Sequence, residues 1–456
     1  PLGKSADARV PLTATTTLSE DGPGPLQLRY GERLAVQATV AANGEVGAIG
    51  IQLGGGSPEL PPDGRLRVAG RTAELDVVAW HRWLSRQSGS RSGIQPDRFD
   101  VTVGTLRVGA LAWSQQSVTG RRSESRWRLD FSGEALAGQV EWPHDSARAV
   151  AVELDYLALS LPDADAVDPD ATPDDRLAEV DPADLRDVRL RIERLSVAGR
   201  PLGQVRITGQ STEAGYRLDP IRLTGANHRI RGEAGWWRDP DHRTELELRV
   251  RSQDMGALLS GLGYRDIMRG GRGRGEVVGG VSAPPWPPNL ETLAGELDLV
   301  VRDGHLTQVD PGPGRVFGLL SIAHLPRRLA LDFGDVVESG FAFDQIEARF
   351  RIADGVATPE TLFMEGPAAR VDATGEVDVA ERVYDQVLTV TPKASTTLPV
   401  LGGLVGGPPG AAAMFLAEQV LGGSVDDVAA VTYQLTGPWH DPRLQSVSGD
   451  GLIPGT

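Results

Sequence analysis

The sequence predicts a mainly β protein: an elongated, twisted antiparallel β-groove, taco-like and open to one side, with a few short helices. Many short segments alternate apolar and polar side chains, which is the period of a strand with one buried face. The chain of 456 residues has 56 Gly and 32 Pro, which suits many tight turns. Long segments with helical periodicity are scarce. A sheet with one extended apolar face must cover that face or curl around it.

The first elements are strands with one helix between them. Residues 34–40 and 64–68 alternate as strands between Gly and Pro turns, and strands resume at 99–103 and 125–131. A short helix is predicted over 76–86, since Asp76 suits an N-cap and Trp80, Trp83 and Leu84 recur at helical spacing. The same order of strand, Asp and short helix recurs at 251–263.

The clearest alternation lies at 244–251, where three aliphatic residues alternate with charged ones. It recurs at 190–192, 297–301, 348–352, 377–379 and 388–390. We expect the apolar residues of these strands to line a trough that holds acyl chains. The candidate lining is Leu246, Leu248, Val250, Leu297, Leu299, Val301, Phe350 and Ile352. The alternative is that the same residues form the closed, dry core of a β-sandwich.

Composition divides the chain into four parts. Residues 1–160 form a first β-groove segment, and 188–445 form a second β module. Between them, residues 161–187 hold nine Asp, one Glu and four Pro, which favours a solvated linker or loop over a calcium site, because the Asp spacing lacks the Gly and terminal Glu of a calcium loop. A diverged repeat of ~90 residues links 100–142 with 187–237. Residues 446–456 are predicted to be a flexible tail.

Two apolar segments predict helices in the C-terminal half. Val316, Leu319, Leu320 and Ala323 recur at helical spacing before Pro326. Residues 398–423 contain one charge and divide at Pro408 and Pro409 into a Gly-rich half and a helix over 410–421. Neither half is long enough to span a bilayer. This segment either caps the sheet or contacts a membrane or partner through Leu401, Leu404, Val405, Met414, Phe415, Leu416, Val420 and Leu421.

The sequence offers little for catalysis or metal binding. No two of its seven His stand at metal-binding helical spacing, and there is no Cys. Phosphate-loop and nucleophile-elbow motifs are missing, and Gly270–Gly275 is interpreted as a flexible turn before a strand at 276–281 rather than an anion site. Asp and Glu are abundant enough to leave a paired-carboxylate glycosidase open, although no pair stands out. We therefore predict a protein that is not an enzyme and uses no cofactor or metal. The net charge of −16 argues against nucleic acid as a partner.

Several motifs in order resemble a known family. Residues 254–264 (DMGALLSGLGY), 269–275 (RGGRGRG), 286–288 (WPP) and 293–299 (LAGELDL) are similar to the AsmA-like C-terminal module. Residues 314–321 (GRVFGLLS), 325–333 (LPRRLALDF), 340–344 (GFAFD), 365–369 (EGPAA) and 433–442 (YQLTGPWHDP) resemble its YhdP branch. The resemblance covers about 180–445 and extends more weakly back to residue 75.

The resemblance implies a function in the envelope of Gram-negative bacteria. Members are long proteins, anchored in the inner membrane by an N-terminal helix, whose periplasmic β-groove is implicated in moving phospholipid toward the outer membrane. This chain would be a C-terminal, periplasmic portion without the anchor, and would support the outer-membrane barrier. We expect phospholipid acyl chains as ligands, the outer membrane or one of its proteins as a partner at the C-terminal end, and a monomer. The alternative is a periplasmic β-scaffold that transports nothing.

Overall fold

The computed structural model describes residues 10–16, 18–19, 22–23, 25–41, 46–62, 65–77, 95–109, 111–160, 180–238, 241–264, 267–285, 288–307, 341–367, 369–393, 430–439 and 441–447. The chain divides into two compact units. The first comprises Pro1–Leu159, Arg186–Ser196 and Gln204–Arg206, and the second comprises Ser160–Leu185, Val197–Gly203 and Ile207–Thr456.

The first unit is built from short strands that alternate buried and exposed side chains. Its strands are β1 (Leu12–Thr15), β2 (Leu18–Ser19), β3 (Gly22–Pro23), β4 (Leu26–Tyr30), β5 (Leu34–Val40), β6 (Val46–Leu53), β7 (Arg65–Asp76), β8 (Gln95–Val108), β9 (Leu111–Arg122), β10 (Arg126–Ser132), β11 (Leu136–Pro143) and β12 (Val150–Leu159). Strand β1 pairs with β4, and from β4 to β12 each strand pairs with the next. Strands β2 and β3 pair only with each other among the described residues.

Strand β7 is parallel to both of its neighbours, which the prediction of an antiparallel sheet missed. A parallel neighbour requires a connection that returns to the same end of the sheet. After β6, residues 54–62 make part of this return across the polar face. They pass so close that a Cβ on Gly50 would lie 2.4 Å from the carbonyl oxygen of Glu59. The alternating pattern of a strand is the same in both directions, so it contains no signal for this crossover.

The second unit is a meander of longer strands. Its strands are β15 (Gly215–Thr224), β16 (His228–Arg238), β17 (His242–Ser252), β18 (Met268–Val281), β19 (Ala294–Leu306), β20 (Phe341–Ala353), β21 (Val356–Glu365), β22 (Ala369–Asp378), β23 (Val383–Pro392), β24 (Val431–Pro438) and β25 (Arg443–Ser446), and the division between the units runs through β13 (Val188–Val197) and β14 (Arg200–Thr212). From β15 to β25, each strand is antiparallel to the next.

Helices are few and short within the described residues. Helix α1 (Met255–Gly261) begins where the sequence predicts, and the Asp254 carboxylate accepts a hydrogen bond of 2.8 Å from the backbone N–H of Ala257. Single 3₁₀ turns occur at Pro182–Asp184 and Leu290–Thr292. The predicted helices at 316–323 and 410–421, and the one at 76–86 beyond Val77, lie outside the described residues.

The structure confirms the mainly β class and the open, mostly antiparallel sheet, and it corrects one local interpretation. Residues 270–275 are not a flexible turn, because they lie inside β18 and are paired with β19. Gly270 and Gly271 have φ of 66° and 84°, so the strand is irregular at that point. Cross-strand pairing with Arg302, Val301, Val300 and Leu299 holds the rest of this glycine-rich segment extended.

The last part of the predicted acidic linker is packed. The Asp181 side chain accepts a hydrogen bond of 3.0 Å from the backbone of Ala183 and so caps the 3₁₀ turn. The Arg186 guanidinium donates to the carbonyl oxygen of Pro143 at 2.9 Å and lies 5.4 Å from the ring centre of Trp142. Residues 161–179 lie outside the described residues, so the division of the chain at 161–187 stays a prediction.

Candidate functional site

The register of β17–β20 brings the eight predicted lining residues to one face of the second unit's sheet. Residues directly opposite each other on paired strands point to the same side. Three parallel rows cross the four strands: Leu246, Gly279, Gly295 and Ile352; Leu248, Val277, Leu297 and Phe350; and Val250, Gly275, Leu299 and Ala348. A fourth row contains Val301 opposite Gly273 and Ile346. This apolar face is the candidate site.

The same face continues onto β16 and β15, where sequence reasoning named no lining residues. Leu246, Leu248 and Val250 lie opposite Ala234, Gly232 and Ile230. These in turn lie opposite Leu218, Ile221 and Leu223. The alternation on β15 is interrupted by a register shift between Leu218 and Ile221. The two residues between them are Asp219 and Pro220. That irregularity hid the strand's apolar side from a period-2 search.

The apolar face is only partly covered over β15–β19 and at Ile352 of β20, and we call this part the half-open face. Leu246 keeps 37% of its surface exposed. Leu248, Val250, Leu297, Leu299 and Ile352 are half-buried, and so are Leu218, Ile221, Leu223 and Ile230. Aliphatic side chains on this face therefore retain surface that an apolar ligand could cover.

Over the rest of β20–β24 most of the same face is buried, and we call this part the sealed face. Phe350, which we predicted to line an open trough, is 1% exposed. Val301, on the neighbouring strand β19, is also 1% exposed. Farther along, Leu362, Met364, Val371, Leu388 and Leu435 are between 0 and 3% exposed. The predicted lining residues are thus divided between a half-open and a sealed part of one face, and their role as the lining of a trough stays a prediction.

Glycines make the half-open face shallow. Gly232, Gly275, Gly279 and Gly295 stand at positions in its rows where other strands carry aliphatic side chains. At Gly232 a Cβ would lie 1.9 Å from the carbonyl oxygen of Glu247, so the backbones are too close for a side chain. Gly275 differs, because a Cβ there would meet only the Leu299 side chain at 3.4 Å and the Asp298 carbonyl at 3.5 Å. Space therefore remains above Gly275.

Helix α1 closes one end of the half-open face. Met255 and Leu258 are 5% and 2% exposed. A Cβ on Gly273 would lie 2.5 Å from the Met255 Cε and 3.2 Å from a Val301 methyl group, so the helix packs directly on this end of β18 and β19. This contact explains why Val301 is buried while Leu297 and Leu299 on the same strand are not. At the other end, Trp236 is 8% exposed and its Nε1–H donates to His242 Nδ1 at 3.0 Å.

The opposite face of the sheet is charged. Cross-strand ion pairs join Arg349 to Asp298 and Arg249 to Glu276, both at 3.0 Å. The Lys393 ammonium, 2.9 Å from Glu365, lowers the pKa of that carboxyl group through its hydrogen bond and its charge. These pairs are solvent-exposed and contribute little stability individually. Their effect is to fix which face of the strands meets water.

The first unit repeats the arrangement. One row of its sheet runs through Val36, Ile51, Val68 and Phe99, all half-buried, and continues through Gly120, Leu129, Val140 and Val152. Phe99 packs against Trp127 with ring centres 5.6 Å apart. Near one end the same face is buried at Val101 and Val103. Apolar side chains on a partly covered sheet face are thus common to both units.

The described residues contain no cluster of three or more His, Asp or Glu able to hold a metal ion. In the same residues, no helix is long and apolar enough to cross a membrane. His228 is structural, because its Nε2 lies 2.9 Å from the Leu202 carbonyl oxygen and burial lowers its pKa. The eight residues proposed at 401–421 for membrane or partner contact lie outside the described part of the chain.

These observations define a class of mainly β protein whose sheet has one charged face and one partly uncovered apolar face. The family model described as YhdP protein matches residues 1–444, and the chain belongs to this family, which confirms the resemblance seen in the motifs. The chain is 24% identical over 464 residues to the intermembrane phospholipid transporter YhdP of Escherichia coli strain K12. That alignment covers 93% of this chain and 36% of the relative, so the chain spans about a third of the relative's length. No solved structure matches.

Proposed function

We propose that this chain carries phospholipids between the inner and outer membranes by letting their acyl chains slide passively along the apolar face. The observation that supports this most is the half-open face, where Leu246 is 37% exposed and its aliphatic neighbours are half-buried. The similarity to a protein named an intermembrane phospholipid transporter points to the same ligand. Sliding makes and breaks no covalent bond, so the proposed role is not enzymatic.

The dimensions suit hydrocarbon. Five strands at a spacing of ~4.8 Å give the half-open face a width of about 19 Å. One leaflet of a bilayer occupies about 15 Å of the ~30 Å hydrocarbon thickness, so the face accommodates the reach of one acyl chain. Burial of each methylene group contributes ~0.8 kcal/mol, and no single position dominates. A ligand held this way can shift along the rows while its polar head stays in water.

The site of action follows from the same proposal. The chain would work in the periplasm as part of a protein anchored in the inner membrane, as a monomer, and would support the outer-membrane barrier. Residues 401–421 would contact the outer membrane or one of its proteins. Deleting residues 400–421 should then stop transfer while the sheet keeps its melting temperature. If the deletion melts the sheet, these residues are a structural cap.

A matched pair of substitutions tests the proposal. Leu246 and Val387 are each 37% exposed, but Leu246 lies on the half-open face and Val387 lies on the opposite face between Thr374 and Gln434. Leu246→Asp should lose most of the phospholipid that co-purifies, as counted by native mass spectrometry, because a charge disfavours contact with hydrocarbon. Val387→Asp should retain it. Leu248→Asp and Leu299→Asp should behave like Leu246→Asp and keep the fold.

Two results would contradict the proposal. Unfolding of Leu246→Asp, Leu248→Asp and Leu299→Asp would mean that these positions belong to a closed core. A wild-type chain that purifies without lipid but with a tightly bound protein would favour the second candidate, a periplasmic scaffold. The extensive burial on the sealed face is the observation that favours this alternative, since apolar side chains that the protein itself covers do not require a ligand.

A further inference from the structure

The charged face of the second unit has an arginine patch that the proposed function does not use. Two rows cross β15–β18 on this face. Arg222 lies opposite Arg231, which lies opposite Arg249, and Arg229 lies opposite Arg251, which lies opposite Arg274. The patch is therefore defined as Arg222, Arg229, Arg231, Arg249, Arg251 and Arg274. Every one of these side chains is exposed.

Most of the patch has no paired counter-charge among the described residues. Arg249 is paired with Glu247 at 2.6 Å and Glu276 at 3.0 Å. Within the described part of the chain, the other five arginines form no ion pair. Like charges directly opposite on neighbouring strands destabilise a sheet. The arrangement is also not a consequence of composition, because the whole chain has a net charge of −16.

Carboxylates border the patch and limit its width. The next row on the same face contains Glu233, Glu247, Val278 and Glu296. The two arginine rows are two residues apart along their strands, which is about 7 Å, and four strands span about 14 Å across the sheet. The surface is thus a narrow basic strip beside an acidic strip, with its long axis across the strands.

We propose that the arginine patch docks an acidic polypeptide segment of a partner protein, laid across β15–β18. Guanidinium groups bind carboxylates through paired, charge-assisted hydrogen bonds, which suits a segment rich in Asp or Glu. A strip about 7 Å wide matches one extended chain. A flat anionic membrane would also cover the bordering Glu row, which would offset its attraction to the patch, whereas a single extended segment can lie along the arginine rows alone.

This docking surface is separate from the apolar face. Side chains of successive residues on a strand point to opposite sides, so a segment bound to Arg229 and Arg251 leaves Ile230 and Val250 uncovered. The structure therefore allows a partner to be held on one side while lipid occupies the other. Failure of either interaction can be measured without disturbing the other.

The experiment is a binding titration with the whole chain. A fluorescent deca-aspartate peptide is the probe, and a deca-asparagine peptide of the same length is the neutral control. The test variant combines Arg229→Gln, Arg251→Gln and Arg274→Gln. The matched control combines Arg349→Gln, Arg351→Gln and Arg370→Gln, which removes the same charge from arginines on the same face that already have acidic partners.

The test variant should bind the aspartate peptide about tenfold more weakly, given the typical strength of exposed ion pairs, while the matched control changes affinity by less than about twofold. Binding by the wild type should weaken as salt rises from 50 to 200 mM, on the principle of charge screening. The melting temperature of the test variant should stay equal or rise, because three like charges are removed.

Two outcomes would overturn the proposal. In the first, the peptide does not bind, or it binds both triple variants equally. In the second, the wild type sediments with phosphatidylglycerol vesicles through these arginines and ignores the peptide, which would assign the patch to a membrane surface. Neither outcome depends on the lipid content of the apolar face, which native mass spectrometry reports separately.

Discussion

The half-open and sealed faces of the second unit are built from the same kind of strand and differ in how far their apolar side chains are covered. Leu297 on β19 and Phe350 on β20 lie directly opposite each other, yet Leu297 is half-buried and Phe350 is 1% exposed. A single cross-strand step therefore separates the two environments. The comparison shows that one continuous row of apolar residues can contain both a partly exposed surface and a buried core.

Side-chain volume accompanies the difference. Rows on the half-open face contain Gly232, Gly275, Gly279 and Gly295. Rows on the sealed face contain Leu362, Met364, Tyr384 and Leu388, which are at most 3% exposed. Large side chains pack to interior density and leave little room, whereas glycines leave a shallow surface. We therefore expect the sealed face to hold the fold and the half-open face to tolerate change.

The largest difference is expected for truncation on the two sides of the border. Phe350→Ala should lower the free energy of unfolding by about 3–5 kcal/mol, because it removes a large buried side chain and leaves a cavity. Leu297→Ala should lower it by about 1 kcal/mol, because much of that side chain already meets water. Urea denaturation of both variants measures the comparison. Equal losses would show that the border between the two faces does not exist in solution.

A buried amide gives the sealed face a second test. Gln386 is 0% exposed, and within the described part of the chain neither its Oε1 nor its Nε2 has a hydrogen-bond partner. Leaving such groups unpaired costs about 1–3 kcal/mol, so Gln386→Leu should raise the free energy of unfolding by about that amount. Gln434→Leu is the control, since Gln434 is exposed on the opposite face and should change little. A destabilised Gln386→Leu variant would mean that the amide does have a partner.

Alkaline pH should weaken the sealed face through Tyr384. Burial raises the pKa of its phenol, which is 1% exposed, above the usual value of about 10. The contribution of this group to stability is therefore complete below about pH 10. Above that pH the unfolded state loses the proton first, and stability should fall by up to about 1.4 kcal/mol per pH unit until the folded pKa is reached. Tyr384→Phe should flatten the fall, and an unchanged slope would contradict this assignment.

The smallest effect on stability, with a clear effect on ligand, is expected at Gly275. A Cβ there meets only ordinary contacts and lies on the half-open face, so Gly275→Leu should keep the melting temperature within a few degrees of the wild type. It should also reduce bound phospholipid, because leucine would fill the shallow part of the half-open face. Gly232→Ala is the contrast: a Cβ 1.9 Å from a carbonyl oxygen should destabilise the sheet. Unchanged lipid content in Gly275→Leu would argue against this face as the site.

The period-2 pattern was sufficient to predict the class of fold and the common face of Leu246, Leu248 and Val250, because strand geometry is local. Pattern alone did not predict the crossover at β7 or the irregular strand at 270–275, since both depend on pairing with distant residues. Nor did it separate Phe350 from Leu297. Burial depends on what packs against the face of a strand. The same apolar residue type can occupy a covered or an uncovered position, so the residue type alone does not predict burial.

The most direct test of the central claim is photo-crosslinking in a cell that makes the full-length protein. A photoreactive amino acid would replace Leu246, Leu248 or Leu299 on the half-open face, and Val387 on the charged face as the control. Irradiation followed by mass spectrometry of the purified protein identifies attached phospholipid. The account predicts adducts at the three leucine positions and none at Val387. Equal labelling at Val387, or no lipid at any leucine position, would contradict it.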